Sequence, residues 1–140
     1  MADERGVMAD AGAEYNIGID IEDIGRFASV AEDPALRSLF SLEEFEHCSR
    51  FADSAAHFAG TWCAKEAAVK ALWPWVRLEP RLVTVHRTTD GRPSLRIASI
   101  DEQTTGTATR VSISQTSTIA CASVIAWGPP GGLDHTGDRP

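Results

Sequence analysis

The sequence predicts an α+β fold in which helices pack on one face of an antiparallel sheet. Two observations carry that expectation. Residues 54–72 form a long, alanine-rich helical stretch with no proline and a single glycine, Gly60. Beyond Trp73-Pro74 the chain changes character, and residues 82–86, 94–97, 109–114 and 119–126 read as strands in two pairs. A chain of 140 residues can bury one core but not two.

The elements follow in order. Residues 15–21 (YNIGIDI) form a short apolar strand that reaches an acid. Residues 23–31 fit a helix with Ile24, Phe27, Val30 and Ala31 on one face, which Pro34 breaks or restarts. Ser41-Leu-Glu-Glu44 is a capping box: the serine oxygen takes one free amide and Glu44 reaches back to another. Trp73-Pro74 closes the long helix. Asp90-Gly91 is a hairpin turn between the first strand pair, and residues 115–118 join the second. A single antiparallel sheet containing both pairs is expected. Residues 1–14 and 128–140 are rich in breakers, acids and small residues and read as flexible tails around a domain of residues 15–127.

Composition excludes several classes. An apolar share of 43% and a charged share of 24% are ordinary for a globular protein, and no window approaches the ~20 apolar residues of a membrane span. The acidic start lacks the apolar core of a secretory signal. Of the net charge of −7, Asp3, Glu4, Asp10 and Glu14 against Arg5 leave −3 in the first tail, and the body carries −3. That balance disfavours general nucleic-acid binding. The three scattered cysteines read as reduced thiols of a cytoplasmic protein.

Chemistry concentrates in three segments: Gly18-Ile-Asp-Ile-Glu-Asp-Ile-Gly-Arg26, Ala64-Lys-Glu-Ala-Ala-Val-Lys70 and Val111-Ser-Ile-Ser-Gln-Thr116. Asp20 sits where an apolar strand gives way to a helix. Glu66 and Lys70, four apart, share a helix face. A carboxylate from the strand and one from the helix suit a hard divalent ion, with lysines nearby for phosphate. Mg²⁺ fits, because it typically takes one or two carboxylates and completes its shell with phosphate oxygens and water. Taken singly, each piece has a plainer account. An acid after a strand is usually a cap, and a Lys-Glu-x-x-x-Lys face is usually solvated. His47, His57 and His86 have no metal-ligand spacing and read as surface or core residues.

In this order and spacing the segments resemble the holo-acyl-carrier-protein synthase family of phosphopantetheinyl transferases. Gly18, Asp20 and Arg26 match its early G-x-D with a following arginine, and Phe40-Ser-Leu-Glu-Glu44 matches a second motif. Residues 59–70 match A-G-x-x-x-A-K-E-A-x-x-K, Gly91-Arg92-Pro93 matches a hairpin G-(R/K)-P, and residues 111–115 match a late V-S-(L/I)-(S/T)-H except at the last position. The likeness spans about residues 16–127. It implies the phosphopantetheinyl-transferase fold and Mg²⁺-dependent transfer of phosphopantetheine from coenzyme A to a serine of an acyl carrier protein. Asp20, Glu66 and Lys70 would be the catalytic set, with Asp20 and Glu66 holding the metal and Glu66 or a metal-organised water taking the serine proton. Lys65, Lys70, Arg92, Pro93, Ser114 and Gln115 would contact the coenzyme. Arg26 would meet an acid of the carrier protein, and a homotrimer with sites at subunit boundaries is expected.

The chain departs from the family pattern in three places. The family histidine is Gln115, the family arginine before A-K-E-A is Thr61, and Trp73-Pro74-Trp75 replaces a glycine-rich run. Glutamine cannot take up a proton near neutral pH. With Trp62, the tryptophans either fill the core or an interface, or make the coenzyme site more apolar. The second case implies a relative that has lost the transfer reaction and binds or acts on an acyl chain tethered to a carrier protein.

Overall fold

The structure, a computed structural model, describes residues 12–98 and 106–131. Strand β1 (Glu14–Asp23) leads into a 3₁₀ turn (Ile24–Phe27), and the short helices α1 (Pro34–Arg37) and α2 (Leu42–Ser49) follow. Helix α3 (Ser54–Leu72) comes next, then a second 3₁₀ turn (Pro80–Leu82), β2 (Val83–Arg87), β3 (Pro93–Ile97), β4 (Ala108–Gln115) and β5 (Ile119–Gly128). The strands are antiparallel throughout and form a three-stranded sheet, β1-β5-β4, and a separate hairpin, β2-β3.

Helix α3 is apolar nearly all round, which suits a helix enclosed by its own domain. Ala59, Ala64, Ala67, Ala68, Ala71 and Leu72 are all buried. The sheet's inner face answers with small side chains, since Ala120, Ala122, Val124 and Ala126 of β5 are buried too. Gly18 is what lets β1 lie against the helix. A Cβ there would come within 2.0 Å of the Ala67 carbonyl oxygen, so no larger residue fits without moving backbone. Strand alternation places Asn16, Gly18, Asp20 and Glu22 opposite that β5 row, on the helix side. Tyr15, Ile17, Ile19 and Ile21 point away, and the three isoleucines are 70%, 61% and 64% exposed.

Long helix, capping box and all five strands form where the sequence predicts them. Gly91 adopts the positive φ of 87° that the hairpin turn needs, with the Gly91 amide donating to the Thr88 carbonyl. Three expectations require correction. Residues 23–31 are not a helix: after the 3₁₀ turn they continue as irregular turns. Ile24, Phe27 and Val30 are all buried at a spacing of three, the 3₁₀ period, while Ala31 is exposed. The two late strand pairs lie in different sheets: β5 joins β4 to β1, and no ladder among the described residues links β3 to the open edge of β4. Asp20 stands inside β1, three residues before its end.

Glu14 pairs with Gly128 in the ladder, and the Glu14 carboxylate accepts from the Gly131 amide at 3.1 Å, so the last β1–β5 pair lies just outside residues 15–127. Residues 1–11 and 132–140 of the expected tails lie outside the described residues.

Candidate active site

β1 and α3 bring Asp20, Glu66 and Lys70 together. Asn16 helps set the geometry: its amide donates to the Lys70 and Ala71 carbonyls at 3.1 and 3.0 Å, satisfying groups a helix end leaves free. Lys70 then turns back to β1, donating to the Ile19 carbonyl at 2.8 Å and to Asp20 Oδ1 at 3.2 Å. Sequence spacing pairs Lys70 with Glu66, but the ammonium goes to Asp20. The other oxygen, Asp20 Oδ2, is buried without a hydrogen-bond partner. Glu66 has no hydrogen bond or ion pair among the described residues. Burial raises its pKa above the usual carboxylate value, and the charge of Asp20 raises it further. Glu22 adds to this in a smaller way and is itself bonded to Arg26 at 2.8 Å. Behind the cluster, burial and then the same acids push the Cys63 thiol up to about 12, so it stays protonated.

An orphaned buried carboxylate oxygen beside a second, unpaired carboxylate is a cation-deficient arrangement. Among the described residues no three His, Cys, Asp or Glu side chains are grouped to hold a metal. An ion here would complete its shell from phosphate and water, as Mg²⁺ typically does. The donor set is of the kind that ion takes, and Asp20 and Glu66 are the residues that could hold it.

Lys65 does not belong to this site. Its side chain is 1% exposed, and Nζ donates to Glu44 Oε1 at 2.7 Å and to the Leu39 carbonyl at 2.8 Å. Lys65 lies about 100° round the helix from Glu66, which turns it inward rather than toward a coenzyme. Glu44 also accepts from the Ser41 amide through Oε1 and from the Val85 amide through Oε2, both at 2.8 Å. This ion pair ties α2, α3 and β2 together; capping-box spacing gave no sign of it.

The remaining candidates lie around β3 and β4. Arg92 and Pro93 border a groove of about 460 Å³ between these strands, together with Arg87 and Arg110. The Arg92 guanidinium is mostly exposed and bonds Asp90 at 2.7 Å. Ser114 and Gln115 line a smaller hollow with His57, Gly60 and Arg87. Arg87 is absent from the sequence reading because a lone arginine at a strand end carries no pattern.

Two of the tryptophans, Trp62 and Trp75, are packed into the fold. Trp62 is buried against Phe40, with ring centroids 6.4 Å apart. Trp75 Nε1 donates to the Pro129 carbonyl at 2.9 Å, and its ring packs on Gly128, fixing the chain after β5. Trp73 is about half exposed with the Arg77 guanidinium 3.4 Å from its ring. Trp62 and Trp75 are thus occupied elsewhere and do not form an apolar coenzyme pocket.

A long helix laid on a three-stranded antiparallel sheet, with a strand carboxylate facing a helix carboxylate, defines a small α+β domain with an acidic site between its two layers. A family model for the 4′-phosphopantetheinyl transferase superfamily matches residues 16–122, and the chain belongs to that family. It is 35% identical to the holo-(acyl-carrier-protein) synthase of Geobacter metallireducens over 79% of this chain and 95% of that protein. A shorter match to the same-named protein of Geotalea daltonii is 41% identical over 45% of this chain and 53% of the relative. Among solved structures, an ACPS–CoA complex from Chronobacterium ammoniagenes superposes with a TM-score of 0.67, covering 82% of this chain and 98% of that one. At 23% identity this last likeness shows the fold.

Proposed function

We propose that this protein transfers the 4′-phosphopantetheine arm of coenzyme A to a serine of an apo acyl carrier protein. The observation that carries it is the Asp20–Glu66–Lys70 cluster with its orphaned Asp20 oxygen, in a chain whose relatives are named for this reaction. The serine oxygen forms a bond to the phosphorus that bears the pantetheine arm. The pyrophosphate P–O bond breaks, and 3′,5′-ADP leaves. Mg²⁺ held by Asp20 and Glu66 would neutralise charge on the pyrophosphate when bound. Lys70, anchored to Asp20, keeps that carboxylate oriented and adds positive charge beside the reacting phosphate. Glu66, the carboxylate without a side-chain partner, accepts the serine proton. Gln115 can only hydrogen-bond.

Arg26 is about half exposed and braced by Glu22, which suits a contact with an acidic carrier protein. The outward face of β1 and β5, with Tyr15, Ile17, Ile19, Ile21 and Ile125 exposed, supports a homotrimer formed through that face. No described helix is long and apolar enough to cross a membrane, and the thiols of Cys48 and Cys63 are buried and free, which agrees with a cytoplasmic setting.

The decisive experiment is mass spectrometry of an apo acyl carrier protein incubated with this protein, coenzyme A and Mg²⁺. The mass of one phosphopantetheine should appear on the carrier serine and vanish when EDTA is added. An unmodified carrier, under conditions where a known synthase modifies it fully, would overturn the proposal.

A further inference from the structure

Arg87 ends β2 half-buried, and among the described residues no carboxylate or carbonyl pairs with its guanidinium. Burial lowers its pKa, yet an arginine remains charged in any aqueous buffer. An unpaired, partly desolvated cation is costly unless something completes it. Three hollows meet at this side chain. One is the groove between β3 and β4, which also presents Arg92, Arg110, Thr88 and Ser94. The second, of about 210 Å³, adds His57, Ser114 and Gln115. The third, of similar size, adds His47, Arg50, Glu43 and Glu46. Of the acids nearby, Glu43 is engaged by His86 and Arg96, and Asp53 by His57. Glu46 is the one left facing the cations of the third hollow.

The position of Arg87 answers a gap in α3. Thr61, where the resemblance calls for arginine, is 2% exposed and lies 3.4 Å from Cys48 Sγ. Arg87 is near enough for its charge to act on that same thiol. A guanidinium therefore reaches this neighbourhood from β2 instead of from the helix. Coenzyme A carries two anionic centres, the pyrophosphate and the ribose 3′-phosphomonoester. Asp20, Glu66 and Lys70 answer the first, and Lys65 is sealed in the core. The second needs a separate cation.

We infer that Arg87 is the specificity residue for the 3′-phosphate of the coenzyme, seated where the hollow of His57 and Gln115 opens into the β3–β4 groove. This rests on the transfer reaction proposed above. A planar guanidinium offers the phosphate two parallel hydrogen bonds, which a lone lysine cannot.

Calorimetric titration of coenzyme A and of 3′-dephospho-coenzyme A tests it. Wild type should prefer coenzyme A by about 10²-fold, the scale of two hydrogen bonds to a charged group. Arg87→Gln should cut that preference to about threefold or less while leaving dephospho-coenzyme A affinity unchanged. Arg87→Lys, which keeps charge and stem, should retain an intermediate preference, and it reads the same ratio if the glutamine variant does not fold. Equal binding of the two ligands by wild type, or full preference in Arg87→Gln, overturns the assignment. Binding of neither ligand by wild type instead removes the coenzyme reading of the whole protein, and this subsite with it.

Discussion

Helix α3 carries two lysines five residues apart, each bonded to a carboxylate, and the two pairs are built in opposite ways. Lys65 and Glu44 are sealed from water and saturated: Nζ has two acceptors and Glu44 has three donors. Lys70 and Asp20 sit at the surface of the same helix, with the lysine about half exposed and one Asp20 oxygen left without a partner. A closed network has nothing to offer a ligand, and its removal is felt as instability. An open one is incomplete until something positive arrives. The same pairing of a lysine with a carboxylate thus separates into scaffold and site according to whether its hydrogen bonds close.

Breaking the closed pair should give the largest effect. Lys65→Met leaves Glu44 buried without its cation, at a cost of about 3–5 kcal/mol. Urea unfolding should show it as a large fall in midpoint. Adding Glu44→Gln should recover part of the loss, because the stranded charge is gone and the single amide oxygen can still accept from one of the two amides, Ser41 or Val85, that the carboxylate served through separate oxygens. A single Lys65→Met variant as stable as wild type would erase the distinction between the pairs.

Opening the open pair further should spare stability and remove function. Asp20→Asn keeps an oxygen for Lys70, so the unfolding free energy should move by less than about 1 kcal/mol. Transfer to the carrier serine should fall by about 10²–10³-fold, the range for losing one preorganised electrostatic group. Retained transfer with normal Mg²⁺ dependence would make Asp20 a plain strand residue.

Gly18→Ala sharpens the comparison from the backbone side. The added methyl must displace β1 from the Ala67 carbonyl, costing about 1–3 kcal/mol as overpacking does. The shift carries Asp20 away from Glu66, so transfer should drop more than the melting temperature alone would suggest. Activity that tracks stability through a series of unrelated core variants, Gly18→Ala among them, would show that the close approach serves packing only.

Most of the fold was legible because its signals are local. Alanine content marked α3, the Ser41–Glu44 spacing marked the start of α2, and Asp90-Gly91 marked the hairpin. Asp20, Glu66 and Lys70 could be singled out because the motifs place them on a strand and a helix that must meet. What sequence could not show is closure over distance. Nothing in A-K-E-A says which of its two charged residues turns inward, since a rotation of about 100° about the helix decides it. Lys65 was therefore read as a coenzyme contact, while its partner Glu44 lies 21 residues away. Arg87 escaped notice for the same reason: its importance lies in having no partner, which only the packed structure displays. The residues 23–31 failed differently, because the spacing of three from Ile24 to Phe27 fits both helical periods, and only the burial of Val30 and exposure of Ala31 choose the 3₁₀ one.

The smallest expected effect tests whether the closed network really is redundant. Ser41 contributes two groups to it, an amide that donates to Glu44 Oε1 at 2.8 Å and a hydroxyl that accepts from the Glu44 amide at 3.2 Å. Ser41→Ala removes only the hydroxyl. The Glu44 carboxylate keeps Lys65, the Val85 amide and the Ser41 amide, so no charge is stranded. The loss is that of one N-cap, about 1 kcal/mol, and chemical denaturation should find it without any change in the steepness of the transition. Coenzyme binding and transfer should be unaltered, because Asp20 and Glu66 lie on elements that the cap does not position. A loss approaching that of Lys65→Met would mean that the hydroxyl, rather than the ion pair, holds α2 against α3. A transfer defect without instability would mean that the scaffold and the site are coupled through α2, and that the two lysine pairs are parts of one device.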